Sequence, residues 1–379
     1  MGVERIAIAG AGTMGAGIAQ LAALGGFETR LHDPAPDALE AGVERARTAL
    51  DRGATGGRWG ASDAREASAR IRPAAALEDL AGCEMAIEAA PEELELKRSL
   101  MGRLAEVCGD DAILATNTSS LPVGGLAASV PRPGRVLGLH FFNPPALMRL
   151  VEVVAGAQTA TPAVRTATAV ASAMGREPVR CADSPGFIVN RCNRPYTLES
   201  LRILGEGIAS HDQIDLIVRE DGGYRMGPFE LMDLIGIDVN LEVARSLYAQ
   251  RAEPRWEPHP IQEGMVAEGR LGRKAGRGFY EYGDGARPAE APAPAPELRQ
   301  AVLERIVCQL VNEAAFASAE GVAGPADIDL AMRLGLNHPR GPFEWARELG
   351  HSRVVAILDG LRERHGERYR VAPALRALS

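Results

Sequence analysis

From Ile6 to Phe27 the sequence reads IAIAGAGTMGAGIAQLAALGGF, a run without a charged residue that holds Gly10, Gly12, Gly15 and Gly17 in its first twelve positions. Its length and apolarity imitate a membrane span or the core of a secretory signal, but glycine at that density does not suit one continuous helix. The run divides instead into a buried strand, Arg5 to Ala9, a tight turn, and a helix from Met14 onward. Gly10, Gly12 and Gly15 then form G-x-G-x-x-G at the strand-to-helix junction, with Thr13 and Met14 at the helix mouth. Bare backbone there lets a pyrophosphate reach the first N–H groups of the helix. A second strand, ETRLHD, ends in Asp33, 21 residues after Gly12, where a carboxylate can bind the adenosine ribose 2′-hydroxyl and repels a 2′-phosphate. The pattern points to NAD in preference to NADP. A Gly-rich turn plus a solvated Asp is the plainer reading, and the order strand, turn, helix, acid weighs against it.

Strands and helices continue to alternate. EMAIEAAPEELELKRSL predicts a buried strand ending near Ala90 and a helix opening around Glu92, and DDAILATNTSSLPV repeats strand then polar turn. In open parallel sheets ligands bind beyond the carboxyl ends of the strands, so Glu92, Lys97, Asn117, Ser119 and Ser120 become candidate contacts. Each taken singly can also be a helix or turn cap. RVLGLH predicts another strand, ending at His140, NPP a turn, and LMRLVEVV a further strand carrying Glu152. A lone histidine among apolar residues is usually structural. A carboxylate inside a Val-rich strand, however, needs a partner, and a return strand after the prolines can bring it back towards His140.

The net charge of −8, with no run of Lys and Arg, argues against nucleic acid as a partner. Five scattered cysteines, without C-x-x-C or histidine at ligand spacing, favour neither a disulfide framework nor a metal site and fit a reducing cytoplasm.

After DSPGF, helical periodicity takes over, with NRCNRPYTLESLRILGEG as a first long amphipathic helix. A 31-residue stretch from Glu206 then aligns without gaps with one from Glu320, sharing Glu-Gly, Ile-Asp-Leu and Gly-Pro-Phe-Glu, which marks a duplicated helical unit. Between the copies lies the Pro-Ala stretch RPAEAPAPAPE, a semi-rigid linker. The expected architecture is an α/β Rossmann-type doubly wound parallel sheet domain at 1–184, followed by an all-α duplicated C-terminal domain. That second part comprises a helical unit at 185–284, a linker at 285–298 and a second, degenerate copy at 299–379.

The strings GAGTMGAGIAQ, NTSSL, HFFNPPALMRLVEVV and DSPGFIVNR, in this order and spacing, resemble the L-3-hydroxyacyl-CoA dehydrogenase family of fatty-acid β-oxidation. The resemblance implies NAD-dependent oxidation of an L-3-hydroxyacyl-CoA to the 3-ketoacyl-CoA. By motif it assigns His140 as general acid/base, Glu152 as the residue that orients it, Ser119 and Asn190 as substrate contacts, and Glu92 and Lys97 as dinucleotide contacts. It further implies that the CoA adenylate lies along residues 46–73, where Arg52 or Arg58 can meet phosphates. "NPPALM" departs from the family's usual N-P-V-P-x-M, and Pro91 precedes Glu92 where an aliphatic residue is usual. In the second copy, Glu304 stands at the position equivalent to Asn190, so only the first copy is equipped to serve an active site. The copies are expected to pack together as an internal pseudo-dimer in a monomer, with a homodimer as the other possibility. Two further readings stand beside this one: a dehydrogenase of the same fold acting on a free hydroxy acid or sugar acid, and a non-catalytic relative such as a crystallin.

Overall fold

The computed structural model describes residues 2–283 and 293–378. The chain divides after Phe187 into two compact units. In the first, β1 (Arg5–Ala9), β2 (Glu28–His32), β3 (Ile71–Ala74), β4 (Met85–Glu88), β5 (Ile113–Thr116), β6 (Val136–Phe141), β7 (Leu150–Ala155) and β8 (Glu177–Ala182) form one sheet in the order β3-β2-β1-β4-β5-β6-β7-β8. β1 to β6 are parallel, but β7 lies antiparallel to β6, and β8 follows β7. The sheet is thus parallel except at this edge, where the return strand expected after the prolines pairs with β6. Eight residues separate Phe141 from Leu150, too few for a crossover helix, so the chain returns beside the strand it has just left. Strand order reverses between β1 and β4, which opens a crevice at their carboxyl ends.

Helix α1 (Thr13–Leu24) sits close against β1 because Gly15 has no side chain: a Cβ there would lie 1.7 Å from the Gly10 carbonyl oxygen. Gly10 itself has φ +110°, and a Cβ on it would meet the Ala89 carbonyl oxygen at 2.5 Å. Apolar side chains of α1, of β1, β4, β6 and β7, and of helices Pro36–Thr55 and Thr161–Ala173 join in one core cluster. The helix expected to open around Glu92 begins instead at Leu94, leaving Glu92 in the preceding loop.

The second unit is helical. Helices beginning at His211, Pro228 and Ile237 recur at Pro325, Pro342 and His351, 114 residues on. The copies agree in detail. Asp215 accepts from the Phe229 N–H at 3.0 Å, and Asp329 accepts from the Phe343 N–H at 2.8 Å. Gly227 and Gly341 cap the helices so approached, and Arg219–Glu230 is matched by Arg333–Glu344. The long helix expected from Asn190 is broken into Val189–Cys192 and Arg194–Gly205, because Pro195 has no N–H to give to the Arg191 carbonyl. It is not amphipathic either: Arg194 through Ile203 are all buried, with helix Pro296–Ala319 packed against it. Much of the expected linker lies outside the described residues, and Pro296–Leu298 already belong to that second helix.

The copies hold each other by reciprocal ion pairs. Arg191 donates to Glu313 at 2.8 Å and to Glu320 at 2.9 Å. At positions 114 residues on and back, Arg305 donates to Glu199 at 2.5 Å and to Glu206 at 2.6 Å. This exchange of partners is the mark of a two-fold interface, here inside one chain.

At each capping glycine a Cβ would fall 2.2 Å from the aspartate behind it. Gly227→Ala and Gly341→Ala are therefore each expected to lower stability in urea by about 1–3 kcal/mol. Gly264→Ala, inside helix Pro260–Ala267 with nothing within 4 Å, should raise it by about 0.5–1 kcal/mol. Unchanged midpoints for both capping variants would contradict the close approach.

Candidate active site

The carboxyl ends of the first unit's strands gather the candidate residues. Beyond β1, Gly12 is exposed, and a Cβ placed on it would meet nothing within 4 Å. Its neighbours in the motif are glycine because the chain itself presses on them, whereas at Gly12 that pressure is missing, which leaves room for a ligand. Exposed Thr13 and half-buried Met14 follow at the start of α1, whose first turn has neither a side-chain cap nor an acidic residue. Its N–H groups and dipole suit a pyrophosphate. Asp33 follows the end of β2; its carboxylate accepts from the Ala11 N–H at 2.9 Å and the Ala35 N–H at 3.0 Å, tying the glycine loop to the acid that would meet a ribose. These residues fit a bound NAD.

Beyond β4 and β5 the geometry is built around two glutamates. Glu88, the fully buried last residue of β4, accepts from Lys97 Nζ at 2.7 Å, the Ala90 N–H at 2.6 Å and the Thr116 hydroxyl at 2.6 Å. Glu92 accepts from the Thr118 hydroxyl at 2.6 Å and from the N–H groups of Ser119 and Ser120 at 2.9 and 3.0 Å, while its other oxygen lies 3.3 Å from Lys97 Nζ. Burial alone would raise the Glu92 carboxyl, but Lys97 and the donors of Thr118, Ser119 and Ser120 outweigh it and hold it below its ordinary value. Lys97 is 1% exposed and also donates to the Ala90 carbonyl. Glu92 and Lys97 thus shape the turn that carries Ser119. Sequence reading missed Glu88, Thr116 and Thr118. The available signal was MAIE, an apolar strand that closes on a charged residue and so requires a cation nearby.

Asn117 joins this turn to the next strand, its Oδ1 accepting from the Phe141 N–H at 2.9 Å. One residue earlier stands His140, the register partner of Glu152 across the β6–β7 pair. Its Nδ1 lies 2.6 Å from Glu152 Oε2, the histidine being 6% and the glutamate 0% exposed. With Nδ1–H donated to the carboxylate, Nε2 is left as the lone-pair nitrogen. The ring sits beside Phe142 and Phe187, at centroid distances of 4.5 and 5.8 Å. Asn190 belongs to the second unit, in the single turn Val189–Cys192. Among the described residues no group of three or more His, Cys, Asp or Glu could hold a metal, and no helix is long and apolar enough to cross a membrane.

The sequence profile of the 3-hydroxyacyl-CoA dehydrogenase NAD binding domain matches residues 5–184, and that of the C-terminal domain of the same enzymes matches 186–282 and 302–379. The 3-hydroxyadipyl-CoA dehydrogenase of Escherichia coli K12 is 36% identical, over 99% of this chain and 97% of its own length. A probable 3-hydroxybutyryl-CoA dehydrogenase of Bacillus subtilis is 38% identical over 74% of this chain and 98% of its own length, so nearly all of it is matched by three quarters of this chain. The crystal structure of a 3-hydroxybutyryl-CoA dehydrogenase from Escherichia coli K12 aligns with a TM-score of 0.93 at 34% identity, covering 100% of this chain and 98% of that one.

The contrast between glycines separates packing from binding. Gly12→Ala should leave the urea midpoint unchanged yet weaken NADH binding about tenfold or more, a loss of about 1.4 kcal/mol or more. Gly15→Ala should lower the midpoint itself, by the about 1–3 kcal/mol typical of overpacking or more. Fluorescence titration checks the first; wild-type affinity in Gly12→Ala would remove that residue from the cofactor site.

Proposed function

The chain belongs to the 3-hydroxyacyl-CoA dehydrogenase family and catalyses NAD-dependent oxidation of a 3-hydroxyacyl-CoA; we propose that His140 is its general acid/base and Glu152 the residue that orients it. The observation that carries this assignment is the buried 2.6 Å contact between His140 Nδ1 and Glu152 at the carboxyl edge of the sheet. Bound NAD supplies the hydride acceptor. Neutral His140 takes the C3 hydroxyl proton at Nε2 as the hydride leaves C3, and the Glu152 carboxylate steadies the imidazolium that forms. In the reverse direction His140 gives that proton back to the C3 oxygen. Ser119, held by Glu92, and Asn190, carried over by motif, hydrogen-bond the substrate. Gly10, Gly12, Thr13, Met14, Gly15 and Asp33 bind the dinucleotide, with Asp33 selecting NAD over NADP, while Glu92, Lys97 and Asn117 form the wall beside it. Arg52 or Arg58, both exposed around the end of helix Pro36–Thr55, meets the CoA phosphates. A non-catalytic role gives no reason to keep an imidazole and a carboxylate together in an apolar strand pair.

The reciprocal ion pairs between the helical copies support a monomer whose dimer-like interface is internal. The five cysteines are all buried and scattered along the chain without C-x-x-C spacing, which supports a reducing, cytoplasmic setting.

With acetoacetyl-CoA and NADH, His140→Ala should lose about 10²- to 10⁴-fold in kcat, the range for a general acid/base. Its NADH affinity should stay near wild type. Glu152→Gln, whose amide can stabilise the wrong imidazole tautomer, should lose about 10²-fold or more. Wild-type turnover by His140→Ala, read at the NADH absorbance band, would sink the assignment. Light scattering should return the mass of one chain, 40.2 kDa, and a stable species of twice that mass would overturn the monomer.

A further inference from the structure

The second helical copy has lost the PGFIVNR motif, yet it reaches the residue next to Asn190. Arg191 has no solvent exposure and donates to Glu313 at 2.8 Å and to Glu320 at 2.9 Å, both from the second copy. Glu313 is itself 1% exposed and is pinned further by Arg255 Nε at 2.6 Å and Trp256 Nε1 at 3.0 Å. Burial works against the Arg191 cation, but Glu313 and Glu320 outweigh it, so the group stays charged and the clamp stays closed.

The local backbone gives this clamp something to do. In the second copy, helix Pro296–Ala319 runs unbroken through Glu304 and Arg305, the counterparts of Asn190 and Arg191. In the first copy, Asn190 and Arg191 sit on the single turn Val189–Cys192, which ends at Asn193 before helix Arg194–Gly205, whose Pro195 has no N–H to bond back into the turn. The turn closes hydrogen bonds from the Cys192 N–H to the Ile188 carbonyl at 2.8 Å and from the Asn193 N–H to the Val189 carbonyl at 2.9 Å, and so short a helix is marginal on its own bonds. We infer that Glu313 and Glu320 of the degenerate copy are positioning residues for the reaction, acting through Arg191 to fix Asn190. This rests on the reading that Asn190 contacts the substrate. The degenerate copy thereby supplies in cis the partner that the first copy's active-site turn requires.

The internal symmetry supplies the control. Glu199 is the counterpart of Glu313, equally buried and equally bound to an arginine, Arg305, whose neighbour Glu304 lies in the copy without the motif. Glu199→Gln and Glu313→Gln should therefore lower the melting temperature alike. Only Glu313→Gln should lower kcat with acetoacetyl-CoA, by about 10- to 100-fold, the scale of a misplaced contact, with NADH affinity unchanged. Should either core variant fail to fold, the more exposed pair Glu320→Gln and Glu206→Gln makes the same comparison. Equal kcat losses in the mirror variants, or none in either, would overturn the inference. Asn190→Ala keeps the two readings apart. Full turnover in that variant removes Asn190 from substrate binding and the inference with it. Lost turnover in Asn190→Ala beside full turnover in Glu313→Gln defeats the positioning role alone. If the clamp acts only through Asn190, Glu313→Gln should cost nothing further in the Asn190→Ala background.

Discussion

A carboxylate taken out of water must be met by donors, and among the described residues this chain buries seven: Glu88, Glu152, Glu199, Asp215, Asp233, Glu313 and Asp329. Each ties together segments that the hydrophobic effect would leave free to slide. Glu88 joins β4 to Lys97 and Thr116, and Glu152 fixes His140 in register across a hairpin. Asp233 accepts from the Phe279 and Tyr280 N–H groups and the Tyr282 hydroxyl, fastening the segment that ends the first helical unit. Apolar packing selects the layers, while these acceptors select one alignment within them.

Much of the first unit could be read from the sequence because its constraints are local. Gly10, Gly15 and Asp33 lie within one strand–helix–strand passage, and the proline turn after His140 leaves Glu152 few places to go except opposite it. Glu92 was harder. Its role is set by the turn at Thr118 to Ser120, 26 to 28 residues away in sequence, and nothing in its own neighbourhood distinguishes a helix opener from a carboxylate reaching across to another strand. Glu88 was missed for the same reason: MAIE signals a buried carboxylate that needs a cation, but its partners Lys97 and Thr116 lie 9 and 28 residues away in sequence. In the second unit the repeat was visible as shared residues, but its energetics were not. Glu199, Arg202 and Arg305 look like the polar face of surface helices until the other copy is placed on them. The supposed amphipathic helix is then buried all round.

The duplication also explains how asymmetry is possible. In a two-fold dimer of identical chains every substitution appears twice, so a residue cannot be lost from one site and kept in the other. Fusion removes that restriction. Glu304 can replace asparagine, and helix Pro296–Ala319 can run straight through the position where the first copy is broken, because only one of the two turns carries the NR pair. What both copies retain is the set that faces the partner: Arg191 and Arg305, Glu199 and Glu313, Glu206 and Glu320.

Buried ion pairs of this kind contribute little net stability, since desolvation offsets most of the attraction, but removing one member is costly because it strands the other. Between separate subunits such an interface must also overcome the lost freedom of association, several kcal/mol or more by most estimates. Within one chain that term is largely absent, as tethering turns association into an intramolecular step. The fused interface can therefore be charged, buried and selective at once. It holds the two copies in one orientation at any concentration, which suits an active-site turn that depends on its neighbour for its position.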